Sequence, residues 1–388
     1  MELMTSSFLN KRQFLTGAFG VAALAGVAAG DAPGGDERPC GQRFVVTDFG
    51  AKGDGKTADT AAIQAAIDAA AKVGGTVFFP PGEYRCHDLK LKPSVTLLAD
   101  AAWLYRGEKH GAVLQLDDPN AAALVDVTGA FAARVRGLTL NGLGRGGKPV
   151  HGIYLNNPKK WSPREDTLVF DDVKVQFFSG HGIFLDRIWL FIIRHSICFG
   201  NGGCGVCIRG WDGFVTDNQF SGNALHGFGC LECGATVMFT ANRVEWNHAC
   251  GLYLCNGDAW NVTGNSFDCN GGAGLYMQNV RGSTATGNVF RRCGKDVSRP
   301  VADGGRCQVR LSGCAGIAFT GNTCRAGRDQ DGGKGKFTPS YGLTFAKMSH
   351  SVVASNALAA GYLEEMFVDE GGHGEQFALR DNVGYAAK

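Results

Sequence analysis

The chain has 388 residues, of which 58 are glycine and 11 proline, and a formal net charge of +2. So even a charge leaves no basic footprint for nucleic acid, and an acidic ligand would have to be held by local cations. Glycine this frequent, beside so little proline, is what a turn-rich solenoid requires.

Residues 1–30 read as an export signal. Lys11-Arg12-Gln13-Phe14-Leu15 precedes a small, apolar run from Gly17 to Ala29, and Val27-Ala28-Ala29 offers a cleavage site. The stretch resembles a twin-arginine signal with lysine in place of the first arginine, and the general secretory route stays open. The expected location is periplasmic or secreted, with no membrane span in the mature chain, because the apolar run is too short and too rich in glycine and alanine. Residues 31–42 form a Gly/Pro/charged linker, and 43–388 read as one domain.

From Phe44 the text predicts strand, glycine-rich turn, helix, strand and turn. Asp59 or Thr60 caps the helix, and Ile63, Ile67 and Val73 share one face of it. This amphipathic helix is expected to plug the open end of a solenoid. Between 95 and 140 the predicted strands are 95–98, 124–127 and 135–140.

From His151 a repeat is plain. His181-Gly182-Ile183-Phe184-Leu185 returns as Cys204-Gly205-Val206-Cys207-Ile208, His226-Gly227-Phe228, Cys250-Gly251-Leu252-Tyr253 and Ala273-Gly274-Leu275-Tyr276, while Asn218, Asn242, Asn265 and Asn288 mark a period of about 23 residues. Each period holds two or three strand-length apolar runs and cannot bury its own face, so it must stack on the next. Asparagine suits the corners, because it tolerates left-handed angles and its amides can form a ladder. The fold class is therefore all-β, a parallel β-helix with a capping helix.

The repeat, together with Asp48-Phe49-Gly50-Ala51-Lys52-Gly53-Asp54-Gly55 and Phe79-Pro80-Pro81-Gly82-Glu83-Tyr84, resembles the pectate-lyase-like superfamily. That resemblance covers roughly 44–385 and implies a right-handed parallel β-helix. The superfamily includes pectin-degrading enzymes, exo-glucanases, polysaccharide epimerases and phage tailspikes, so fold alone leaves the reaction open. Trimers are common among such proteins, which makes a homo-oligomer an expectation.

Insertions at 141–149, 294–305 and 326–340 precede the repeated strand, and 156–166 follows it, so loops wall a groove along one strand stack. Alternation points Tyr154, Phe184, Cys207, Gly229, Tyr253 and Tyr276 outward in one column, and Asn156, Asp186, Arg209, Leu231, Cys255 and Gln278 in a second. His151, His181 and His226 fall in a third, His181 and His226 about 10 Å apart at a coil spacing of about 4.8 Å. Aromatic rings mixed with polar tips suit a chain of sugars.

A lyase acting on a uronic-acid glycan needs a cation beside the carboxylate and a base for the C5 proton. Arg209, Arg187, Lys159 and Lys160 are candidates for the first, and His181, His226 and Tyr253 for the second. Asp186 and Glu232 are the carboxylates on which a hydrolase or fructan-transferase-type enzyme would rely. His151, Tyr154, Trp161, Phe184 and Tyr276 complete the expected substrate-binding set. Gly180-His181-Gly182 resembles an element of the polygalacturonases, although the Asp-Asp pair and Arg-Ile-Lys of that family have no counterpart here. β-Elimination on a polysaccharide is the favoured reading, with a glycosidase or a non-catalytic carbohydrate-binding solenoid as alternatives. No cofactor is expected, and calcium has no supporting motif. The fourteen cysteines are expected mainly as small core residues, since the register keeps Cys204, Cys207, Cys230 and Cys233 from converging on a metal; a Cys204–Cys250 disulfide stays open.

Overall fold

The computed structural model describes residues 42–105, 110–157, 165–296, 298–325, 337–359 and 364–385. Met1–Pro39 and Cys40–Lys388 separate as two units, and all described residues belong to the second. The export signal and most of the linker thus lie outside the described residues. No helix among those residues is long and apolar enough to cross a membrane.

Among the described residues every strand pairing is parallel, in a 23-stranded and a 13-stranded sheet. Three inward columns show why: each coil contributes one buried side chain to each. The first includes Ile153, Ile183, Val206, Phe228, Leu252, Leu275 and Val309. Phe170, Ile193, Val215, Phe239, Val262, Ala285 and Phe319 make the second. The third holds Val175, Cys198, Phe220, Val244, Phe267, Phe290 and Cys324. All are buried, and the phenyl rings of Phe267 and Phe290 stack at 4.9 Å. A coil that buries only three or four apolar side chains cannot stand alone, so the stack is the folding unit.

The glycine of the repeated phrase has a steric cause. A Cβ on Gly182 would lie 2.6 Å from the Gly205 carbonyl oxygen, and one on Gly205 equally close to that of Gly227. Successive coils pass each other there too closely for any side chain.

Two asparagine ladders pin the corners. In the expected one, the Asn218 amide donates to Asn242 Oδ1, Asn242 to Asn265, and Asn265 to Asn288, at 2.9–3.0 Å. A second, missed in the sequence, joins Asn201, Asn223, Asn247 and Asn270 at 2.9 Å throughout. The left-handed residue is the one before each asparagine: Asp217, Ala241 and Gly264 in the first ladder, Gly200, Gly222 and Trp246 in the second. Asparagine supplies the amide, and its predecessor turns the corner. At Cys293, in the next asparagine position, the backbone N–H donates to Gln308 Oε1 at 3.0 Å. Gln308 is fully buried, so an amide from beyond the insertion closes the ladder across it.

The helix spans Thr60–Ala71 and buries Ile63, Ala66, Ile67 and Ala70 against the segment Val46–Phe49 and the strand Thr76–Phe78. Two details differ from expectation. Neither Asp59 nor Thr60 caps it: Asp59 is the N-cap residue but makes no side-chain cap, because its carboxylate accepts the N–H groups of Lys52 and Gly53 at 2.7 and 3.1 Å. Val73 lies past the helix end and is exposed.

Candidate active site

The expected columns form on the outer face of the first strand stack. Tyr154, Phe184, Cys207, Gly229, Tyr253, Tyr276 and Arg310 are successive neighbours in register. Beside them, backbone bonds from Gly152 to His181, Gly182 to Cys204, Gly205 to His226 and Gly227 to Cys250 align the histidine column.

At one end, His151, Tyr154, His181 and Phe184 form an aromatic wall with centroids 5.1–5.6 Å apart and nearly parallel planes. Each histidine is held the same way. Nδ1 of His151 accepts the His181 N–H at 3.0 Å, Nδ1 of His181 that of Cys204 at 2.9 Å, and Nδ1 of His226 that of Cys250 at 3.2 Å. An accepting Nδ1 is unprotonated, so the neutral ring carries its proton on Nε2. In this tautomer the imidazoles are donors, where the sequence reading sought bases.

Burial, followed by the neighbouring His181, pulls the His151 pKa from 6.5 down to about 4. The unfolded chain therefore binds more protons than the folded one between these values, and stability falls as pH drops through that window. The thermal midpoint of the wild type should accordingly fall more between pH 6.5 and pH 4 than that of His151→Gln; equal falls would contradict this.

Next along the stack, Arg209 binds Asp186 through Nε and Glu232 through Nη1, both at 2.6 Å. Sharing one guanidinium with Glu232 has two consequences: Arg209 is not available to a substrate carboxylate, and the pair of carboxylates is not free for hydrolysis. Arg187 is half-buried at the bulge that follows Asp186, with a left-handed backbone. Lys159, Lys160 and Trp161 lie outside the described residues.

The second cluster surrounds a cavity of about 250 Å³ lined by His226, Tyr253, Tyr276, Gln278, Arg299, Ala302 and Asp303. His226 and Tyr253 stack at 4.8 Å, and the Tyr253 hydroxyl donates to Gln278 Oε1 at 2.6 Å. Burial above all, and secondarily the charges of Arg299 and His181, lower the His226 pKa, while burial raises that of Tyr253. Near neutral pH both are uncharged and protonated where a donor is needed. Tyr276 is a correction: it is buried, and its hydroxyl donates to the Ala302 carbonyl, so it anchors the inserted loop more than it offers a surface to substrate.

Arg299 was not singled out in the sequence. It reaches the cavity from the insertion at 294–305, donates to the His248 carbonyl at 3.3 Å, and has a buried Nε without a hydrogen-bond partner. No carboxylate of the described residues lies within ion-pair distance of it. Asp303 comes from the same loop and faces the same cavity. The signal available was the loop itself, which the sequence marked as a groove wall without weighing its charges.

All thirteen described cysteines are free thiols, eleven of them buried, so the Cys204–Cys250 disulfide is not formed.

Comparison with known proteins agrees with this architecture. Residues 44–111 match the family model described as rhamnogalacturonase A/epimerase, pectate lyase-like, and residues 151–324 match the right handed beta helix region. The mannuronan C5-epimerase AlgE6 of Azotobacter vinelandii is 33% identical over 207 residues, 48% of this chain and 22% of that protein; the epimerase AlgE5 is 31% identical over 239 residues, 55% and 23%. Alginate lyase 7 of the same organism is 74% identical over 43 residues, 11% of this chain and 5% of that one. The chain thus spans less than a quarter of the length of these relatives. Among solved structures, the AlgE6 A-module superimposes with a TM-score of 0.59 at 20% identity, covering 89% of this chain and all of the module. PfbA, a surface adhesin of Streptococcus pneumoniae, gives 0.63 at 14% identity, covering 89% and 92%. The stacked parallel coils and the two family matches together make this chain a right-handed parallel β-helix of the pectate-lyase-like superfamily.

Proposed function

We propose that the chain is an enzyme acting on a polyuronate, that it removes the C5 proton of a uronate residue in the His226–Tyr253–Arg299 cavity, and that its product is epimerised polymer. The observation that carries this reading is Arg299, a guanidinium without a carboxylate partner among the described residues, set beside two neutral proton donors.

H5 of a uronate is acidic only so far as the adjoining carboxylate can take up negative charge. A cation at that carboxylate stabilises the enolate as it forms, and Arg299 is placed to supply it. Because the histidine tautomers leave no lone pair on Nε2, the acceptor of H5 is assigned to Asp303 on the loop. Tyr253 and the Nε2–H of His226, on the sheet side, return a proton. Acceptor and donors thus come from different elements lining one cavity, and protonation from the face opposite to abstraction inverts C5. The names of the relatives, mannuronan C5-epimerases over about half of the chain, support the same substrate class.

Elimination, favoured from the sequence alone, begins with the same proton and ends with loss of the C4 oxygen; the short stretch of high identity to an alginate lyase keeps it as the second reading. A periplasmic or secreted location belongs to the same proposal, since a polymer substrate has to be met outside the cytoplasmic membrane. Incubation with polymannuronate in deuterated water tests it. Epimerisation puts deuterium at C5 and produces guluronate signals in the proton spectrum, whereas elimination gives unsaturated ends that absorb in the ultraviolet. New reducing ends without either signal, or an unchanged polymer, would overturn C5 chemistry.

A further inference from the structure

We infer that His181, Cys204 and Cys207 form a binding site for a thiophilic divalent cation, with Zn2+ the ion that the ligand set suits best. One imidazole nitrogen and two sulfurs lie within 4.8 Å of one another, the one such His/Cys/Asp/Glu group among the described residues. Cys204 and Cys207 do not converge with Cys230 and Cys233, so the ribbon-like spacing of the four is not what makes the site. The third ligand comes instead from the coil before, which the register Phe184 to Cys207 brings alongside.

Three observations carry the site. Cys204 is fully buried and Cys207 is 3% exposed, so the two thiols are a fixed part of the groove floor. His181 is half-exposed beside them, which gives an ion a way in from the groove. The Cys204 N–H donates to Nδ1 of His181 at 2.9 Å, so Nδ1 is the unprotonated ring nitrogen, and its lone pair, which that amide now engages, points to the side of Cys204.

Sulfur and imidazole select zinc over calcium or magnesium, which favour oxygen. With Zn–S bonds of about 2.3 Å, tetrahedral ligands stand about 3.8 Å apart, so the cluster has to close by about 1 Å at most. As the ion binds, each thiol gives up its proton to solvent, and Nδ1 exchanges the amide hydrogen bond for the metal. Two thiolates then balance the two positive charges of the ion, and little net charge is buried. Three protein ligands leave a fourth position for water. The inference is independent of the sugar chemistry proposed above and is tested without it.

The test is a titration of the reduced, full-length protein with Co2+ and then Zn2+. One equivalent of Co2+ should produce the near-ultraviolet thiolate-to-cobalt charge-transfer band and the visible bands of a tetrahedral site, and Zn2+ should erase them. Cys207→Ser should weaken binding about tenfold or more through the loss of one of three ligands, while Cys233→Ser, outside the cluster, should leave the titration unchanged. If Cys207→Ser does not fold, the wild type decides alone: Zn2+ binding measured by calorimetry in two buffers of different ionisation heat should show proton release. Absence of the charge-transfer band in fully reduced protein, a band of undiminished affinity in Cys207→Ser, or binding without proton release would each overturn the site.

Discussion

Arg299→Ala should lower the turnover of polymannuronate by about 100–1000-fold, the range seen when one preorganised donor is removed from a developing oxyanion. The loss should fall mainly on kcat, because the guanidinium meets the most charge as the enolate forms, and the ground-state carboxylate is already well solvated. Arg299→Lys should recover part of the rate, since a point cation replaces the charge but not the planar donor geometry. The thermal midpoint should hardly move, because Arg299 makes one long hydrogen bond to the His248 carbonyl and no ion pair among the described residues. A variant with full activity would sink the assignment of the cavity, and one that lost activity together with its fold would assign Arg299 to structure.

The second large effect is on stability. Asn247→Ala removes the bonds that Asn247 makes with Asn223 above, with Asn270 below and with the Phe220 carbonyl, all at 2.9–3.1 Å and buried. Each buried partner left unpaired costs about 1–3 kcal/mol, so a total of about 3–5 kcal/mol is expected after partial relaxation. Asn279→Ala is the control: its amide bonds Asn256 at 3.2 Å on the exposed surface, where water replaces the partner, and the change should cost only about 1–2 kcal/mol, the strain that alanine meets at the left-handed backbone of Asn279 (φ 54°). Denaturant unfolding of both variants reads the difference. Equal midpoints for Asn247→Ala and the wild type would mean that the ladder decorates the corner without holding it.

Much of the frame was legible because the period is in the text. The phrase around Gly182 recurs wherever coils pass too closely for a side chain, and apolar residues fall on the inward side by simple alternation. The groove columns followed from the same register. What escaped was whatever the period does not encode. Asn201, Asn223, Asn247 and Asn270 recur as regularly as the first ladder but lack a constant flanking residue and fall in links that read as loop. Asp59 looks like a helix cap until the turn at Lys52 and Gly53 is known to claim its carboxylate. The histidines were visible as a column, yet their tautomer depends on backbone N–H groups one coil away, which no spacing reveals. Arg299 and Asp303 lie in an insertion, where alternation says nothing about direction.

Gln308 gives that insertion an unusual standing. Because its amide reaches back to the Cys293 N–H, the chain is tied off on both sides of the excursion that carries Arg299 and Asp303, much as a branch is grafted between two bound cuts. The outer residues of that excursion can therefore vary without loosening the trunk, so long as Gly304 still accepts the Ala273 N–H and Ala302 the Tyr276 hydroxyl. Exchanging a dozen or so residues at this one splice would re-line the cavity of His226 and Tyr253 while leaving the stacked coils as they are.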